Sequence, residues 1–173
     1  SIELARVEAM GAASKAGRPL SRQEQLRLIE HRGSGFVVHK SLWEHISVVE
    51  PISSNLLLLI LKGNLDFIFM SAHAPTAQAP TDQTEAFYAQ LTGAIARHSG
   101  HNKIPIILGD FNAKLLAGAE RADHRIGPYY LRHPANKLES VSDGVLEKRQ
   151  FFIDLCTTER LVASNTHFDK PAQ

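Results

Sequence analysis

The rhythm of apolar and polar positions changes several times along the chain, and each change marks an element. The first thirty residues are rich in Ala and Arg, and Gly11 and Gly17-Arg18-Pro19 interrupt them. Ser21 and Glu24 stand at capping-box spacing, and Leu26, Leu28 and Ile29 give the next turn an apolar side, which predicts a helix over about 21–31. Residues 1–17 read as a second helix or a loose arm. From Gly35 the pattern is that of strands. Phe36-Val37-Val38, Ile46 to Val49, Leu56 to Leu61 and Leu65 to Met70 are apolar runs rich in β-branched and aromatic residues or leucine. Gly63-Asn64, between the last two, is a pair of the kind that closes a tight hairpin. Runs that are apolar on both faces belong in the middle of a covered sheet.

Thr81 to His98 carries Phe87, Leu91, Ala94 and Ile95 at helical spacing, with Thr81 or Thr84 as cap and Gly100 as stop. Ile104 to Leu108 reads as a further buried strand that stops at Gly109. Residues 113–145 form a long polar loop region, and a short helix near 146–156 and a strand at 161–165 follow. Strands and helices mix without strict alternation, which predicts a layered α/β fold with a mixed sheet.

Composition narrows the class. The 173 residues are 43% apolar and 21% charged, a balance that excludes disorder, collagen and coiled coil. One cysteine, Cys156, excludes an internal disulfide framework and multi-cysteine zinc modules. Lys and Arg number 19 against 18 Asp and Glu, so no global basic field advertises a nucleic-acid partner. The longest apolar run, Leu56 to Leu61, is too short to span a bilayer, and no signal segment opens the sequence. The expectation is a chain without a membrane partner, located inside the cell.

The sharpest chemical feature is Gly109-Asp110-Phe111-Asn112. If the chain stays extended, Asp110 and Asn112 point to one side and Phe111 to the other. A carboxylate that takes a proton from water, beside an amide that holds an oxygen without adding charge, suits phosphoester hydrolysis. The alternative is that Asp110 caps a turn and Asn112 takes an unusual backbone angle. Ser71-Ala72-His73-Ala74-Pro75-Thr76 also ends a strand. It presents His73 at the rim of Asp110 if the two strands are neighbours, either to meet a phosphate or as a structural group. Between 114 and 137, Lys114, Arg121, Arg125, Arg132 and Lys137 outnumber Glu120 and Asp123, with Tyr129 and Tyr130 interleaved. Such a loop either faces nucleic acid or is simply solvated. Nine histidines include His98 and His101 three apart and the group His39, Glu44, His45, but no His-Glu-x-x-His, so no histidine metal site is expected.

Six stretches in order, Gly35–Leu42, Ser71–Thr76, Phe87–Leu91, Ile104–Ala113, Ile126–Tyr129 and Ser164–Phe168, resemble the endonuclease/exonuclease/phosphatase superfamily. The likeness is greatest to the apurinic-endonuclease-like domains of non-LTR retrotransposons and their craniofacial-development-protein relatives. The resemblance implies a four-layer α/β sandwich, two mixed β-sheets flanked by helices, present here only in part. Residues 33–173 would be the partial domain and 1–32 an unmatched helical N-terminal segment. It further implies a DNA endonuclease dependent on Mg²⁺ or Mn²⁺, with a nuclear location if the chain derives from a retroelement. Inositol-phosphate phosphatases and sphingomyelinases share the family fold, but the Phe36–Leu42 and Ile126–Tyr129 matches favour the retroelement branch.

Carried over by motif, Asp110 positions or deprotonates the attacking water and Asn112 contacts the scissile phosphate. His73 stands where the family places a tyrosine, and Asn165 orders a strand end near the site. Arg121, Arg125 and Tyr129 lie on the loop that faces substrate. The family's metal-binding glutamate, from a Gln-Glu pair after an apolar strand, has no counterpart, because Gln23-Glu24 falls in the expected helix. The family's final Ser-Asp-His segment is also missing. The metal ligands are therefore incomplete, which makes this a piece of a longer domain or, alternatively, a catalytically inactive remnant that binds nucleic acid or another partner.

Overall fold

The computed structural model describes residues 5–6, 34–115, 124–129 and 142–168. The helix expected over 21–31 and the expectation for most of 1–17 lie outside the described residues. The chain divides into two compact units, Ser1–Ala74 with Gly93–Asp110, and Pro75–Thr92 with Phe111–Gln173.

The first unit is built on a four-stranded mixed sheet. Its strands are β3 (Ile46–Ser53), β4 (Leu56–Leu61), β5 (Asp66–His73) and β6 (Lys103–Asp110), in that spatial order. β3–β4 and β4–β5 are antiparallel and β5–β6 is parallel. A short antiparallel pair, β1 (Ala5–Arg6) with β2 (Val37–Val38), accompanies it. The leucine run becomes β4, flanked by a strand on each side, and Leu56, Leu58, Leu59 and Ile60 are buried. Alternation sends Leu59 to one face, where it clusters with Val38, Phe36, Ile46, Val49 and Phe69. Ile68 and Met70 of β5 are fully buried on the other.

The expectation that Ile104–Leu108 is a buried strand is corrected. Among the described strands β6 is the edge of the sheet, and Ile104 and Leu108 are 38% and 52% exposed. The residues suit an edge. Asp66 N–H donates to Asn102 O and Ala74 N–H to Asp110 O, so the even-numbered residues of β6 face β5. Pro105 is odd-numbered, and its missing N–H falls on the open edge, where proline costs no ladder bond. Glu50 of β3 joins the end of helix α1 (Thr81–His98) through Arg97 Nη2 at 2.8 Å and His98 Nε2 at 2.7 Å.

The second unit holds the start of α1 and helix α2 (Asp143–Thr158). Phe87 and Leu91 are buried at the predicted spacing. Tyr88 stacks on Phe151 of α2, with centroids 5.4 Å apart at 14°, and meets Phe87 edge-on. Lys148 is buried, and its ammonium donates to Ala79 O at 3.2 Å. Thr81 Oγ1 donates to the Glu147 carboxylate at 3.0 Å. The strand expected at 161–165 is instead a single bridge at Ala163 followed by a 3-10 turn, Ser164–Thr166. The chain is thus α/β with a mixed sheet. No helix among the described residues is long and apolar enough to cross a membrane.

Candidate functional site

β5 and β6 run in the same direction in full register from Asp66↔Lys103 to His73↔Asp110. His73 and Asp110 are therefore the final pair of the ladder, at the carboxyl ends of two neighbouring strands, and both side chains are exposed. The two sequence features expected to meet if their strands were neighbours do meet. The backbone holds the end of β5 from both sides. His73 N–H donates to Asn55 O at 2.9 Å and Ala74 N–H to Asp110 O at 2.8 Å. Strand side chains at paired positions share a face, so His73, Asp110, Ser71 and Leu108 lie on one side of the sheet. A carboxylate and an imidazole on one face at strand ends can together hold a water and donate to an anionic oxygen.

The extended geometry does not continue beyond Asp110. Asn112 has φ 49°, in the left-handed region that Asn tolerates better than most residues. Asp110 and Asn112 therefore do not project together as alternate residues of one strand, which corrects that expectation. Phe111 turns inward as expected. It is half-buried, with its ring 5.0 Å from that of Phe152. Asn112 belongs to the second unit.

Arg125, Tyr129 and Asn165 also lie in the second unit, on two segments tied to one another. Ile126 bridges Ala163, Ala163 N–H donates to Arg125 O at 2.9 Å, and Tyr129 N–H donates to Thr166 O at 2.8 Å. Arg125 is half-buried, and Tyr129 and Asn165 are exposed. Arg121 lies outside the described residues.

Thr166 is the residue that the sequence reasoning missed. It is 2% exposed, and its hydroxyl donates to Ala163 O at 2.6 Å while accepting the Gly127 N–H at 2.7 Å. Gly127 must be small, since a Cβ there would lie 2.6 Å from the Thr166 carbonyl carbon and 2.8 Å from His167 Cα. The only signal in the sequence was indirect, a threonine and a glycine each inside a matched motif.

Among the described residues, no three His, Cys, Asp or Glu side chains gather as a cation site. A hard divalent cation takes about six oxygen ligands. Asp110 beside His73 offers too few, so the residues described do not fit Mg²⁺ or Mn²⁺. Two of the histidines singled out in the sequence are engaged otherwise. His39 accepts the Ser41 N–H at the start of the 3-10 helix Lys40–His45, and His98 binds Glu50. No family model, curated protein or solved structure matches the chain.

Proposed function

We propose that this chain is part of a phosphodiester-hydrolysing domain acting on DNA, of the endonuclease/exonuclease/phosphatase type, and that its four-stranded sheet is one layer of that family's four-layer sandwich. The observation that carries the reading is the pairing of His73 with Asp110 at the carboxyl ends of neighbouring parallel strands. Ligands of α/β sheets collect outside such ends. Asp110 orients a water and accepts its proton as the oxygen attacks phosphorus. His73 donates to a non-bridging oxygen on which charge develops. Arg125 neutralises a backbone phosphate and Tyr129 offers a ring for stacking, as would suit a DNA-facing surface with Arg121 and Asn165.

The second reading is an inactive remnant that binds nucleic acid without cutting it. It is favoured by the absence of a three-donor cation cluster among the described residues. A supercoiled-plasmid nicking assay with Mg²⁺ or Mn²⁺ separates the two, with EDTA and Asp110→Ala as controls. Metal-dependent nicking that disappears in Asp110→Ala supports hydrolysis. Salt-sensitive binding by folded protein that never nicks supports the remnant.

A further inference from the structure

The pairing of His73 with Asp110 depends on the residue that precedes Asp110. Gly109 is paired with Ala72, one step before the end of the ladder, and has φ +152°. L side chains rarely adopt that angle. A Cβ built on Gly109 would collide with the carbonyl oxygen of Ala72 and reach within 2.7 Å of its carbonyl carbon. The obstacle is main chain on both sides, so no rotamer change relieves it. Resting on the hydrolytic reading, we propose that Gly109 is a positioning residue. Its missing side chain lets β6 close against β5 at the last step and so sets Asp110 beside His73.

The rest of the sheet does not need this approach. Leu58, Ile60, Ile68 and Met70 of the buried core lie two or more steps of the ladder from Gly109, and only Leu56, through Ala72, shares its step. A side chain at 109 therefore opens the strand ends, breaks the Ala74 N–H bond to Asp110 O, and leaves the fold standing. Gly93 in α1 makes a matched control, since a Cβ there meets only the Arg97 guanidinium at 3.6 Å.

The test reads the juxtaposition itself, without activity. In the full chain, His73→Cys and Asp110→Cys are introduced together and oxidised with diamide. Neighbouring strands lie about 4.8 Å apart, within the roughly 4.4–6.8 Å Cα window of a disulfide. The pair is expected to cross-link in the Gly109 and Gly93→Ala backgrounds. In Gly109→Ala the rate should fall at least about tenfold, because displaced Cα atoms strain the bond. Circular dichroism should remain that of the parent. Unchanged cross-linking in Gly109→Ala would overturn the proposal, and so would global unfolding of that variant. Efficient, Gly109-dependent cross-linking in a protein that never nicks DNA would leave the positioning role standing and count only against hydrolysis.

Discussion

Gly127 donates its backbone N–H to the buried hydroxyl of Thr166, 39 residues further along the chain, at 2.7 Å. The same hydroxyl donates to Ala163 O, so one side chain satisfies two buried backbone groups. Thr166→Val keeps the shape and leaves the Gly127 N–H unpaired, while Ala163 O keeps only the backbone N–H of residue 166. It is expected to cost about 1–3 kcal/mol in urea unfolding, whereas Thr166→Ser should recover most of that. A Val variant as stable as the parent would remove Thr166 from this role.

Tyr88 is 6% exposed, and its hydroxyl has no hydrogen-bond partner among the described residues. Burial, with a smaller contribution from the nearby Cys156, pushes its titration above the ordinary phenol range. The ring carries the packing and the hydroxyl contributes little. Tyr88→Phe should therefore change stability by less than about 1 kcal/mol or raise it. Tyr88→Ala should cost about 3–5 kcal/mol by opening a cavity beside Phe151. Thermal unfolding of both variants checks the contrast.

Burial pulls the Glu50 carboxyl up, but hydrogen bonds from His98 and Arg97 outweigh it and hold the group below its ordinary value of 4.5. A depressed carboxyl stabilises the fold above its unfolded value, and the contribution is lost as pH falls through the folded value. The Glu50 side chain is 34% exposed, so solvent screening keeps the effect under about 1 kcal/mol. The stability difference between the parent and Glu50→Gln should be steady near neutral pH and shrink below about pH 4.5. A difference independent of pH would contradict the pairing.

Much of the fold was legible because local pattern and burial coincide. Phe87, Leu91, Ala94 and Ile95 are both the spacing that predicts α1 and the residues it buries. The leucine run of β4 could only lie inside a sheet. The edge position of β6 was not legible. Its apolar residues are those of an interior strand, and having a neighbour on one side only is a property of distant chain. The segment at 161–165 failed for another reason. Leu161 and Val162 look like a strand, but the Thr166 N–H closes a 3-10 turn onto Ala163 O and its hydroxyl adds a second donor to the same carbonyl. At the candidate site, the Asp110 and His73 motifs pointed to a common rim, and the register joined them. For Asn112 the sequence left two readings open, because asparagine is equally at home in a strand exit and in a left-handed turn, and the left-handed angle is the one adopted.

Under the proposed function, Arg125 contacts a phosphate. In DNA binding followed by fluorescence anisotropy, Arg125→Ala should weaken affinity across sequences and lower the slope of log K against log salt by about 1. A salt slope identical to the parent's would place Arg125 away from the phosphates.

The central claim is that His73 and Asp110 act as one unit on a phosphoester. The most direct measurement is single-turnover plasmid nicking by His73→Ala, Asp110→Ala and the double variant. Each single change should slow nicking by about 10²–10⁴-fold. The double variant should lose little more than the worse single variant, because groups that act together are not additive. Nicking that continues at the parent rate when both residues are alanine would contradict the account.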